Sequence, residues 1–171
     1  MTRDKRIRRV AILCCHCLRN IAFYRAGWRG KKLRVPVQFW INANSNFIDI
    51  AVLEWCKLFT ERDGKHHWKA VVSDRDRFRA GLEKETGLTW GQFRQYALEV
   101  LEYRDTFVAH LDDEETMYPP RLRVMRKSAG YLYQYVISNE ARPGVLADAS
   151  PLTEFYSKFL RHARKQYARA T

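Results

Sequence analysis

Thr89-Trp90-Gly91-Gln92 opens the stretch that most constrains how this chain folds. A threonine followed three residues later by glutamine is a capping box, in which each side chain satisfies a backbone N–H at a helix start. Beyond it, Phe93, Tyr96, Ala97, Val100, Leu101, Arg104, Val108 and Leu111 hold one stripe over roughly six turns at 3.6 residues each. A helix of that length and one-sidedness has to bury its stripe against other elements. What the rest of the chain offers is more helix.

A first helix is expected from about Lys5 to Trp28, with Ile7, Val10, Ala11, Cys14, Cys17, Leu18 and Ile21 recurring at three and four. Gly27 and Gly30 stop it in a basic connector. Pro36 suits the first turn of a second helix, apolar over much of its circumference and therefore central. Its Asn42, Asn44, Asn46 and Asp49 are assigned to the surface or to a helix irregularity. Ser73-Asp74 caps a shorter helix that ends before Gly87. Pro119-Pro120 breaks the long stripe, a helix follows from about Arg121 to Asn139, and Ser150-Pro151 starts the last one. Leu33-Arg34-Val35 and Val71-Val72 are too short to found a sheet. The expected fold is all-α, a single-domain bundle of five or six helices spanning residues 1–171.

Lysine and arginine outnumber aspartate and glutamate 31 to 19, a formal charge of +12 that attracts polyanions. No apolar run is long enough to span a bilayer, so no membrane partner is expected. The basic start and Val10–Leu18 imitate a signal peptide, but Arg19 and Asn20 follow at once and the helical pattern runs on, which reads as the first helix of a cytoplasmic protein. Cys14, Cys15 and Cys17 are too close in sequence for a zinc pair, and core packing accounts for them better. The adjacent His66 and His67 point apart and make a poor metal pair. There is no phosphate-binding glycine loop, metal-spaced His/Cys set or nucleophile elbow, and neither a metal nor a cofactor is expected.

The chemistry on offer sits at the end of the long stripe. Arg104 occupies an apolar-face position, where a charge needs a carboxylate, carbonyls or an anion as partner. Asp105 is next to it but adjacent helical residues do not face each other. His110 follows, able to give or take a proton near neutral pH, and Asp112 to Glu115 are four acids in a row. On a straight α-helix six residues turn by roughly 240°, so Arg104 and His110 diverge unless the helix bends or ends between them, or two protomers share a site.

Tyr103-Arg104-Asp105-Thr106-Phe107-Val108-Ala109-His110, with five residues between the arginine and the histidine, resembles the Arg–His motif of the HEPN superfamily, closest to its abortive-infection branch. The resemblance implies a helical homodimer whose motifs meet in a shared cleft, acting as a metal-independent endoribonuclease of a toxin or phage-defence system. Arg104 would stabilise phosphate charge, His110 would handle protons and Asp105 would orient. RNA is the implied partner and an antitoxin protein a further one. Some toxin members carry a tyrosine two positions after the histidine that an antitoxin modifies, and here that position is Asp112. Arg121, Arg123, Arg126 and Lys127, past the break, are candidates to hold the RNA backbone. The alternative is a non-catalytic helical module binding nucleic acid or protein through basic ends with interleaved aromatics: Tyr156, Lys158, Arg161, Arg164, Lys165 and Tyr167.

Overall fold

The first helix, α1 (Arg3–Ala26), is the element around which the others assemble in the computed structural model, which describes residues 1–61, 63–109, 119–146 and 152–170. Thr2 caps it by accepting from the Lys5 N–H. Its buried face, Ile7, Val10, Cys14, Leu18 and Ile21, packs against α2 (Gln38–Phe59), α5 (Leu122–Tyr135) and α6 (Leu152–Arg169). The helices α3 (Arg75–Thr86) and α4 (Trp90–Tyr103) complete the bundle, α3 against α5 and α4 against α2. The all-α, single-domain expectation holds, with six α-helices among the described residues.

The local signals act as their chemistry requires. Asp74 accepts from the Arg77 N–H to start α3, and Gly87 closes it at φ 75°, a left-handed conformation that glycine adopts without strain. Thr89 and Gln92 form the full capping box of α4. Three differences are informative. The connector after α1 forms a minimal antiparallel hairpin, β1 (Trp28–Arg29) with β2 (Lys32–Leu33), turned at Gly30 with φ 61°. The long stripe does not stay α-helical: a π-helical turn runs from Arg104 to Ala109 directly after α4. A second π turn, Val136–Glu140, ends α5.

Asn44 is the third. It is buried rather than at the surface, donating to the Tyr24 carbonyl at 2.9 Å and to the Tyr167 hydroxyl at 3.1 Å. A Cβ on Gly27 would stand 2.2 Å from the Asn44 amide nitrogen, so glycine is what lets the end of α1 and α2 approach. Tyr167 is thereby tied into a small second core with Ala26, Val35 and Ala163 and is not available to a ligand.

The main core centres on Trp55 of α2, fully buried, stacked on Phe59 at 4.8 Å and edge-on to Tyr96 of α4 at 5.5 Å. Its indole N–H donates to Ser128 Oγ of α5 at 2.9 Å, so one side chain joins three helices. Trp55→Ala is expected to cost about 3–5 kcal/mol, a large part of a domain's stability. Trp55→Phe should cost clearly less, because Ser128 Oγ retains the Val124 carbonyl as acceptor. Urea unfolding of the two variants beside the parent measures both.

Glu140 is buried at the end of the second π turn. It accepts from Arg3, from the Ser73 N–H at 2.7 Å and from Ser73 Oγ at 2.8 Å, and Arg3 also donates to the Val71 carbonyl. The start of α1, the approach to α3 and the end of α5 are closed by that one carboxylate.

Candidate active site and a basic cleft

Arg104 begins the π turn with its side chain 22% exposed. Its Nε donates to Asp105 Oδ1 at 2.8 Å and its Nη2 lies 2.7 Å from the same oxygen, while Nη1 stands 3.5 Å from Glu61 Oε1 at the end of α2. The expectation that Asp105 would not meet Arg104 is therefore corrected. Adjacent Cβ atoms on a helix do diverge, but a guanidinium on a four-bond stem reaches sideways across the turn to a carboxylate in solvent. Burial works against the arginine's charge, and the bond to Asp105 with the charges around it outweighs that, so its proton affinity is raised. The two contacts differ in grip. Asp105 makes a short two-point contact, and Glu61 a long one from a half-exposed side chain.

His110 and the acids Asp112 to Glu115 lie outside the described residues. Tyr103, the residue before Arg104, is buried, stacks obliquely on Phe107 of the π turn at 5.5 Å, and lies within electrostatic reach of Asp49 and Tyr24. Burial first, then those two neighbours, push its phenol up.

The four cations after Pro120 are divided by the start of α5. Arg121 precedes the helix, sits over the Tyr96 ring at 5.3 Å and approaches Glu99 at 3.7 Å. Lys127 pairs with Glu85 of α3 at 3.6 Å, and Arg123 is exposed. Arg126 points elsewhere, into a cleft of about 1110 Å³ between the end of α1, the hairpin, α5 and α6. Arg25, Lys31 and Arg164 join it there, and Tyr24, Trp28 and Tyr156 supply aromatic walls. No carboxylate lines this cleft among the described residues.

The Arg126 guanidinium lies over the Tyr156 ring at 5.2 Å, and neither Arg126 Nε nor the Tyr156 hydroxyl has a hydrogen-bond partner among the described residues, although both atoms are shielded. A shielded polar atom without a partner costs about 1–3 kcal/mol, which a fold does not carry without reason. By sequence alone Arg126 stands among candidate phosphate contacts, and Tyr156 and Arg164 stand in a separate basic-aromatic group. Nothing local joins them, because Arg126 and Tyr156 belong to different helices. By sequence alone Arg25 and Trp28 belong to the end of the expected first helix and Lys31 to the basic connector after it.

The histidine pair is resolved for His67. Its ring is buried, packs 5.6 Å from Trp68, sits 3.3 Å from the Phe59 carbonyl through Nε2 and accepts the Lys69 N–H through Nδ1 at 3.3 Å. That is a capping and packing role. Cys14, Cys17 and Cys56 are buried and Cys15 is half-buried, all four as free thiols. No helix among the described residues is long and apolar enough to cross a membrane. Compared with protein-family models, curated proteins and solved structures, the chain matches none of them.

Proposed function

We propose that this chain is a HEPN-like, metal-independent endoribonuclease of a toxin or phage-defence system, with Arg104 and His110 acting at a homodimer cleft and Asp105 orienting the arginine. The observation that supports it most is the π turn from Arg104 to Ala109. A uniform α-helix sets Arg104 and His110 on diverging faces, and π winding by itself does not bring them together. What the turn supplies is a departure from regular helix that begins at the motif arginine. The helix changes its winding at the motif arginine and keeps the new winding up to the residue before the histidine. Single π turns within helices are concentrated at functional sites.

The chemistry asks little of the protein. The RNA 2′-hydroxyl loses its proton as its oxygen bonds to phosphorus, the 5′-oxygen leaves and takes a proton, and the phosphorane charge needs a cation. His110 handles the protons and Arg104 the charge. A phosphate arriving at Arg104 displaces Glu61, the looser of its two carboxylates, and leaves Asp105 holding the guanidinium in orientation. The charge of +12 draws in RNA, or an antitoxin with an acidic face. Free buried thiols suit a reducing cytoplasm.

One observation favours the second reading, a non-catalytic module that binds nucleic acid or protein. Arg104 already has two carboxylates within its own chain, which is how an architectural arginine is held. Incubation with mixed RNA in excess EDTA, beside His110→Ala, separates the two. Cleavage by the parent and not by the variant is the expected result. Equal background from both, with RNA still bound, removes the nuclease and leaves the module.

A further inference from the structure

We propose that the cleft between α1, the hairpin, α5 and α6 is a binding site for single-stranded nucleic acid, with bases on its aromatic walls and phosphates on its cations. The inference stands whether or not the chain cuts RNA. Four features carry it. The cations Arg25, Lys31, Arg126 and Arg164 converge from α1, the hairpin, α5 and α6, and no described carboxylate answers them within the cleft. That contrasts with Arg121, just before α5, and Lys127 on it, each facing a glutamate.

The walls are rings. Tyr24 and Trp28 are 6.0 Å apart at 56°, and Tyr156 lies beneath the Arg126 plane. Bases of a single strand stack on aromatic rings and on guanidinium planes, whereas those of a duplex are already stacked on one another. Arg126 Nε and the Tyr156 hydroxyl are a donor and a donor–acceptor without described partners, the groups a phosphate oxygen or base edge would satisfy after a small shift. Finally, at about 1110 Å³ the cleft exceeds the roughly 300–1,000 Å³ of ordinary small-molecule pockets, as an extended ligand requires.

An acidic protein segment would answer the cations but would leave the rings without a role, so the single strand is the better fit.

The test uses the full chain carrying His110→Ala, so that cleavage does not confuse binding, and a labelled twelve-nucleotide oligouridine read by fluorescence anisotropy. Trp28→Leu and Tyr156→Leu are each expected to weaken binding by roughly 10-fold, within the range for loss of one stacked base. Arg164→Gln should reduce the slope of log Kd against log salt by about 0.7, one released counterion on a single strand. Tyr156→Phe is the most discriminating variant. It removes a hydroxyl that has no described partner in the free protein, so the thermal midpoint should hold or rise while affinity falls several-fold.

Matched DNA and duplex RNA complete the set. Binding of both single strands, or of RNA more tightly through its 2′-hydroxyls, supports the site, and tighter binding of the duplex overturns it. Affinities of the cleft variants within twofold of the parent also overturn it. So does an equal loss when the exposed Arg75 and Lys84 of α3 are changed to glutamine instead, because binding would then follow diffuse charge. Displacement of the RNA by polyglutamate as readily as by oligouridine would assign the cleft to an acidic protein.

Discussion

Arg104→Ala is expected to slow RNA cleavage by about 10²–10³-fold, the usual cost of deleting one group that stabilises transition-state charge. Thermal unfolding should move little, because the ion pairs it breaks are with the half-exposed Glu61 and the exposed Asp105, and such pairs contribute about 0–1 kcal/mol. Arg104→Lys should recover only part of the rate, since an ammonium keeps the charge and loses the fork that grips Asp105 at two nitrogens. Glu61→Gln should leave the turnover rate intact and lower the KM, because it removes the acid a phosphate has to displace. An architectural Arg104 predicts the reverse pattern, with the melting temperature falling and both rates unchanged. Single-turnover cleavage and calorimetry on the same four proteins distinguish the two.

Much of the scaffold behind that experiment was legible in the sequence. Caps are local chemistry, so Asp74, Gly87, Thr89 and Gln92 announced the limits of α3 and the start of α4 without tertiary information. Periodicity placed α1, α2, α5 and α6 within a few residues. The π turn was not legible, because Phe107 and its neighbours continue the apolar pattern that an α-helix would show. Asn44 misled for a similar reason. Asparagine on a helix is usually at the surface, and only the approach of Gly27 and Tyr167 gives it buried partners. Of the candidate site, the motif could be read from spacing, whereas the cleft could not, since its lining comes from residues 24 to 31, 122 to 126 and 156 to 164.

The second large effect is a steep loss of stability in alkali. An unfolded cysteine gives up its proton near pH 8.5, about its model-peptide value. In the folded chain burial pushes the Cys56 thiol up to about 11, and burial, then neighbouring thiols for Cys14 and Glu54 for Cys17, hold those two well above the ordinary range. Burial and then Cys15 push the Tyr133 phenol up to about 12. Above pH 8.5 the unfolded chain therefore binds fewer protons than the native one. The stabilisation is complete below that pH and is lost as pH rises toward the folded values.

Each thiol costs about 1.4 kcal/mol per pH unit over this window, so three cost about 4 kcal/mol per unit against a typical total of 5–15. Urea midpoints at pH 8, 9 and 10 should fall sharply. A chain with Cys14, Cys17 and Cys56 all changed to alanine, though weaker at pH 8 from its cavities, should show a much flatter decline. Parallel slopes for the two proteins would show that the thiols are not responsible.

The central position of α1 also has a consequence for how the protein is made. Of the helices of this bundle α1 is made before the others, yet its apolar face is covered by α2, α5 and α6, and its Arg3 is held by Glu140. Until the chain has been extended through residue 169, part of that face has no partner. Contacts so distant in sequence form late and slowly, and nascent apolar surface is open to aggregation in the meantime. For a basic chain proposed to act on RNA, the same delay keeps the cleft incomplete during synthesis. Its α6 wall, carrying Tyr156 and Arg164, is the last part of the cleft to be made, so the binding surface is finished only once α6 has joined the bundle.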